Sequence, residues 1–136
     1  MIDKQTVTIS IPGEPKTKKR PRFSRVGSKV RTYNSTKESD DTLRWQMKAR
    51  LKGTEPLSGA LHVAMIFVFK RPKSRAKLKE VYHTITPDID NLLKQYLDVG
   101  NAILWYDDQQ IASVSAIKIY GDVASTVIIV RKLNDS

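Results

Sequence analysis

Apolar and polar positions divide the chain into strand-like and helix-like stretches set apart by proline and glycine. Thr6 to Ile11 (Thr-Val-Thr-Ile-Ser-Ile) alternates at period two with β-branched residues and stops at Pro12-Gly13, which predicts a first strand. Ser35-Thr36-Lys37-Glu38 has Ser and Glu at capping-box spacing, and Leu43, Met47 and Leu51 then recur until Gly53, a helix of about four turns. Trp45 falls off that stripe, and its amphipathic ring is expected at a half-exposed edge of the core. Leu61 to Phe69 is apolar on both alternations beyond His62, the pattern of a central strand covered on both faces. Ile89, Leu92, Leu93, Tyr96 and Leu97 follow the spacing of one buried helix face, with Gly100 expected as a left-handed cap. Ile111 to Tyr120 and Ala124 to Lys132 read as two closing strands joined at Gly121-Asp122, a natural hairpin. The order β-α-β-α-β-β predicts an α+β fold or a small α/β one: a single domain with a mixed sheet and its two main helices on one face.

Composition narrows the chemistry. At 136 residues, 40% hydrophobic and 28% charged, the chain has the size of one globular domain and can bury a core without staples. With no cysteine there is no disulfide, thiolate nucleophile or cysteine metal site, and two histidines, His62 and His83, leave little for a histidine-based centre. His62 is expected as a hydrogen-bonded structural residue, and His83, although nearer the acidic cluster, as a bystander. Met1-Ile2-Asp3-Lys4 does not start a signal peptide and Leu61 to Phe69 is too short to cross a bilayer, so a cytoplasmic protein without a membrane partner is expected.

The charge balance changes the picture further. Lys and Arg number 24 against 14 Asp and Glu, a net +10 that should attract a polyanion, nucleic acid first. Lys16, Lys18, Lys19, Arg20, Arg22, Arg25, Lys29 and Arg31 make Lys16 to Arg31 a +8 segment, and Pro15, Pro21 and Gly27 suggest a long arm or loop at about 13–34. A second run from Lys70 to Lys79, including Lys70, Arg71, Lys73 and Arg75, again has no acidic residue. Between Val81 and Ile117 the sign reverses: Asp88, Asp90, Asp98, Asp107 and Asp108 stand against Lys94 alone, a net −4. Carboxylates gathered in a basic chain repel the phosphates that the rest attracts unless a cation lies between them. Each basic run taken alone is also compatible with a solvated, solubilising surface.

Pro87 biases Thr86 towards an extended backbone, and if that extends through Asp88 the i, i+2 spacing puts Asp88 and Asp90 on one side. Asp90, Lys94 and Asp98 then lie at i, i+4, i+8 along the helix, and Asp90 can equally be read as its N-cap. Asp107-Asp108 precedes the strand at Ile111, and a mixed sheet is expected to bring the pair beside the start of that helix. Such oxygen ligands suit Mg²⁺, with Mn²⁺ as a substitute, and phosphodiester hydrolysis is the usual use of such a site. Lys94 can orient a carboxylate or stabilise the charged phosphorus centre. No Gly-rich phosphate loop competes.

Thr86-Pro87-Asp88-Ile89-Asp90-Asn91-Leu92-Leu93-Lys94, then Leu97-Asp98, then Tyr106-Asp107-Asp108-Gln109-Gln110-Ile111 resembles the RusA family of crossover junction endodeoxyribonucleases, which are Holliday junction resolvases often carried by phages and prophages. The family's D-x-D-N-x-x-K start, leucine-aspartate and D-D-x-x-[IV] all match in order and spacing. Pro15-Lys16 through Pro21-Arg22-Phe23 is similar to the basic arm of many members, and the closing strands with Lys118 and Tyr120 also fit. The resemblance implies that Asp88, Asp90 and Asp108 are the catalytic metal-binding carboxylates and Lys94 the essential lysine, with Asp107 a neighbour of less certain role and Asp98 structural or on a dimer surface. It also implies Mg²⁺, a homodimer, four-way junction DNA as substrate, and paired nicks in recombination and repair. The basic residues would then grip the junction arms through phosphate, reading shape rather than base edges. Two other readings stay open: a metal nuclease of flap or single-strand specificity, and a non-enzymatic nucleic-acid-binding protein whose aspartates cap and solvate a helix.

Overall fold

The computed structural model describes residues 6–17, 22–26, 29–33, 36–73 and 79–133, with backbone alone at 22–26, 29–33 and 36–39. Along the chain come β1 (Thr6–Pro12), β2 (Arg22–Val26), β3 (Lys29–Tyr33), α1 (Thr36–Leu51), β4 (Leu61–Lys70), α2 (Ile89–Val99), a 3-10 turn (Asp108–Gln110), β5 (Ile111–Gly121) and β6 (Ser125–Lys132). The fold is α+β, and the expected order holds once a hairpin is added. That hairpin is the first correction. The segment expected as an irregular arm contains β2 and β3, paired antiparallel from Arg22↔Tyr33 to Val26↔Lys29 in a sheet of their own.

The main sheet has the order β1-β6-β4-β5. β5 and β6, expected as a hairpin, are not neighbours. The chain leaves β5 at Gly121, whose carbonyl accepts from the Arg71 amide at 3.1 Å, and β6 returns antiparallel on the far side of β4. Gly121 is needed there for closeness: a Cβ would lie 2.7 Å from a Val68 methyl. β4, the most apolar strand, thus sits between β5, which is parallel to it, and β6.

One face of β4 is buried and the other is only half-buried, rather than both being covered. Leu61, Val63, Met65, Phe67 and Phe69 point to the buried side, where they meet Leu43 and Met47 of α1, Leu92, Tyr96 and Val99 of α2, and Ile9, Ile11, Ile128 and Val130 of the neighbouring strands. Burial of such side chains contributes roughly 1.5–3 kcal/mol each. α1 is tied to β1 by Arg50, whose Nε donates to the Ser10 carbonyl at 2.6 Å. Trp45 is 70% exposed and lies outside the core, because the Leu43–Met47–Leu51 stripe alone faces the sheet. Ser35 and the Glu38 side chain, the expected capping box, lie outside the described residues.

Gly100 follows α2 with φ −69°, so it is not a left-handed cap. Its constraint is again space, since a Cβ would stand 2.5 Å from the fully buried Trp105 ring. His62 is the structural residue expected, its Nδ1 2.8 Å from Ser113 Oγ. No helix among the described residues is long and apolar enough to cross a membrane.

Candidate active site

Asp88 occupies the N-cap position of α2 in extended conformation (φ −70°, ψ 144°), but its side chain makes no capping bond. Its carbonyl accepts from the Leu92 amide at 3.1 Å, so the backbone starts the helix and the carboxylate is left over. Asp90, for which capping and function were equally open, lies in the first turn and is exposed. A carboxylate there is favoured by the helix dipole. Neither carboxylate has a hydrogen bond or ion pair among the described residues. Both border one cavity of about 880 Å³, together with Tyr82, His83, Ile85, Ile117 and Lys118. Asp88 also borders a second cavity, of about 560 Å³, with Asn91, Pro15 and Lys16, where the basic arm leaves β1.

The loop that presents Asp88 is held by a residue to which the sequence reading gave no role. Lys118 of β5 donates from Nζ to the carbonyls of Ile85 and Pro87, both at 2.6 Å. The Thr86-Pro87 peptide between them is cis. Just upstream, His83 and Val81 bond to the backbone of β5, with the His83 amide to Lys118 O at 3.0 Å and the Tyr120 amide to Val81 O at 2.9 Å. The His83 ring is buried and stacked on Phe69 at 3.8 Å, and its Nδ1 has no partner among the described residues. Burial and the Lys118 charge hold its pKa below 6.5, so the ring is neutral at neutral pH.

Asp107 and Asp108 lie at the other end of α2. Asp107 caps the 3-10 turn, accepting from the Gln109 amide at 3.0 Å, while Gln110 Oε1 accepts from the Tyr106 and Asp107 amides and its Nε2 donates to the carbonyls of Leu57 and Gly59. Asp107 thus has a structural task, and Gln110 pins the turn to the loop before β4. Asp108 is half-buried. Burial first, then a hydrogen bond with Asp107 and the charges of Asp107 and Asp98, push its carboxyl above the usual range, and a hydrogen bond with Asn101 pulls it partly back.

The expected meeting of Asp108 with Asp88 and Asp90 does not occur within this chain. No group of three or more Asp, Glu or His side chains stands close enough to hold a metal among the described residues. The cause is topological. β5 runs parallel to β4 and α2 is the return between them, so the start of β5 lies beside the end of α2. Asp98, not Asp90, is the helical carboxylate beside Asp108. Lys94 stands between the two ends on the exposed side of α2. Mg²⁺ typically takes one or two carboxylates plus waters and phosphate oxygens, which the unengaged Asp88 and Asp90 oxygens suit.

Of the basic residues, Lys16 is exposed and its amide donates to Tyr96 Oη at 3.4 Å, rooting the arm on α2. Lys70 and Lys73 are exposed, the Lys70 amide donating to Glu14 Oε1 at 3.1 Å. Arg71 lies 5.3 Å from the centre of the Tyr120 ring. Arg22 and Arg25 lie on β2, and Lys18, Lys19, Arg20 and Arg75 fall outside the described residues.

A mixed sheet with its helices on one side, unengaged carboxylates opening on a cavity and a basic arm rooted beside them have the makings of an enzyme that works on a phosphate polymer. Residues 12–131 match the family model described as endodeoxyribonuclease RusA. The match covers most of the chain, which therefore belongs to the RusA family of endodeoxyribonucleases, hydrolases that act on branched DNA. No curated protein matches the chain.

Proposed function

We propose that the protein is a Mg²⁺-dependent, structure-selective endonuclease that resolves Holliday junctions by paired symmetric nicks, as a cytoplasmic homodimer, in DNA recombination and repair. The observation that carries this reading is the pair Asp88 and Asp90, unengaged at the start of α2 and opening on a cavity in a chain of net charge +10. Asp88 and Asp90 would hold the Mg²⁺, and the family resemblance adds Asp108, which lies at the other end of α2, as the third carboxylate. A bound divalent cation lowers the pKa of a water and stabilises the charge that develops in an in-line displacement. Lys94, one turn beyond Asp90, supplies a cation to the phosphate as its charge grows. Lys16, Lys70, Lys73 and the arm hold the junction through its phosphates, which fixes orientation without reading sequence. An isologous dimer suits a four-way junction because both have two-fold symmetry.

The separation of Asp108 from the other two favours a second reading, a binding protein without activity. One assay separates the two. A labelled synthetic four-way junction is incubated beside a duplex and a flap, in Mg²⁺ and in chelator, with the wild type and Asp88→Asn. The proposal expects metal-dependent paired nicks confined to the junction, and in the variant lost cleavage with undiminished binding, because a repulsive charge has gone. Binding without cutting under any divalent metal supports the second reading, and normal cutting by Asp88→Asn refutes the metal-site assignment.

A further inference from the structure

We propose that a cavity beside Gln95 receives one unpaired base of the junction, and that the Gln95 side-chain oxygen selects a base carrying an exocyclic amino group. This rests on the nuclease reading and adds a specificity-determining residue to it. Gln95 of α2 is 2% exposed, and its Nε2 donates to Asp40 Oδ1 of α1. A carboxylate oxygen takes the amide N–H and not the amide oxygen, so the nitrogen must face Asp40 and the orientation of the Gln95 amide is fixed. That leaves Oε1 buried without a hydrogen-bond partner among the described residues. A buried acceptor left unmet is rare in a folded protein and marks a place for a donor from outside.

Gln95 borders a cavity of about 620 Å³ between α1, α2 and the end of β1, ample for one nucleobase. Ile11, Leu43 and Tyr96 give it apolar walls, Glu14 a carboxylate and Lys16 a cation. The lining decides what enters. The Gln95 oxygen and the Glu14 carboxylate are both acceptors, so a phosphate is repelled and a neutral ring with N–H donors is favoured. Glu14 is held in place, its Oε1 accepting from the Lys70 amide at 3.1 Å. Cytosine, adenine and guanine each carry an amino group with two hydrogens, whereas thymine carries none. Turned towards Gln95, thymine brings a carbonyl oxygen against an oxygen, and an amino group supplies the missing donor.

Position ties this cavity to the reaction. Lys16 borders it and also borders the cavity of about 560 Å³ that Asp88 and Asn91 line. Asp88, Asn91 and Gln95 stand at i, i+3 and i+7, along one side of α2. At about 1.5 Å per residue, Gln95 is about 10 Å along the helix from Asp88. A stacked strand advances about 3.4 Å per nucleotide, so the base that reaches Gln95 is within about three nucleotides of the phosphate at Asp88. A base in a duplex reaches such a pocket only by leaving the stack, which costs least where pairing is already interrupted. The crossover of a four-way junction is such a place. Phosphate contacts by the arm fix the register, and the base contact adds a sequence preference.

The test is a base scan. Four-way junctions that differ at a single nucleotide near the cut phosphate are cleaved in Mg²⁺ by the wild type and by Gln95→Met, and kcat/KM is compared. At one position the wild type should cut an amino-bearing base about tenfold better than thymine, and about tenfold better than the same ring without its amino group, as expected for one hydrogen bond to a buried acceptor. Gln95→Met should bring that ratio below about twofold. A flat scan in the wild type, or a preference that persists in Gln95→Met, overturns the proposal and leaves water as the partner of Gln95 Oε1. Should Gln95→Met fail to fold, crosslinking reads the same contact in the wild type. A junction with an iodinated pyrimidine at the scanned positions is bound in chelator, irradiated and digested. Crosslinks on Tyr96 or Leu43 support the pocket, and saturated binding without a crosslink to either overturns it. Because crosslinking needs no cleavage, the two readings fail separately. A protein that crosslinks there and cuts nothing sinks the nuclease reading, whereas paired nicking with a flat scan sinks the base pocket alone.

Discussion

Replacing Lys118 with methionine keeps most of the unbranched side chain and removes its charged end. The loss is two hydrogen bonds of 2.6 Å, to the carbonyls of Ile85 and Pro87. Bonds from charged groups contribute about 1.5–3 kcal/mol each when nothing replaces them. Ile85 is 50% exposed and Pro87 is half-buried, so water takes over part of the bonding. The net cost to folding is then about 1–2 kcal/mol, since bridging water is nearly as good a partner as the lysine. That corresponds to a melting temperature lower by roughly 3–8 °C for a domain of this size. The larger effect falls on Asp88, directly after Pro87, because a carboxylate misplaced by about 1 Å can slow a reaction by about 100-fold. Single-turnover cleavage of a four-way junction should slow by roughly 10- to 100-fold, while affinity measured by anisotropy in chelator changes by less than about threefold. Lys118→Arg keeps the donors and should recover part of the rate. If Lys118→Met melts lower yet cleaves at the wild-type rate below its melting point, Lys118 supports the fold alone and the reasoning fails.

Gly100→Ala tests the packing of the turn that leads to Asp108. On backbone grounds Ala gains about 1 kcal/mol over Gly in helical conformation, but its Cβ would stand 2.5 Å from a buried ring held by a 2.9 Å bond to Asn101, so a net loss of about 1–3 kcal/mol is expected by thermal denaturation, eased when Trp105→Phe is combined with it. Because the folded state lowers the His83 pKa below 6.5, the unfolded chain binds more protons just below that pH; stability should fall as pH drops from about 6.5 and be fully present above it, and His83→Phe should flatten melting temperature against pH in that window. A flat wild-type curve there refutes the assignment of a neutral ring. Arg20→Ala with Arg22→Ala should weaken binding to every DNA alike and shallow the salt dependence, whereas an unchanged salt slope means that the arm does not touch phosphate.

The elements with a clean period were legible in the sequence: the Leu43–Met47–Leu51 stripe of α1, the buried face of α2 and the alternation of β1. The β2–β3 hairpin was also written there, as Phe-Ser-Arg-Val and Lys-Val-Arg-Thr-Tyr around Gly27-Ser28, but eight basic residues and two flanking prolines suggested an arm instead. What periodicity cannot carry is order within a sheet. Gly121-Asp122 has the chemistry of a hairpin, yet β4 claims the place between β5 and β6 because it is the most apolar strand and is best placed at the centre. The same rule bears on the site. A mixed sheet was expected to bring Asp108 beside Asp88 and Asp90, while the parallel return through α2 put them at opposite ends of a helix. Lys118 was visible only as part of a strand, since its bonds to Ile85 and Pro87 depend on tertiary placement. Asp107 to Gln110 had the spacing of a capping box and could have been found by that signal.

β1 has its strand partner, β6, far from it in sequence, with Thr6 opposite Arg131. Contacts so distant in sequence form late, because the loop must close before the pairing rewards it. The basic arm follows β1 directly, and although Arg50 and Tyr96 hold this stretch from the two helices, β1 gains its ladder only once β6 has arrived. On a ribosome, the nascent chain would already display its carboxylates and both basic runs while β1 waits for β6. The edge that carries the arm is therefore completed only once Ser125–Lys132 has emerged, so a chain terminated before Ser125 would lack the strand partner of β1. Such a chain would carry both basic runs with β1 deprived of its ladder.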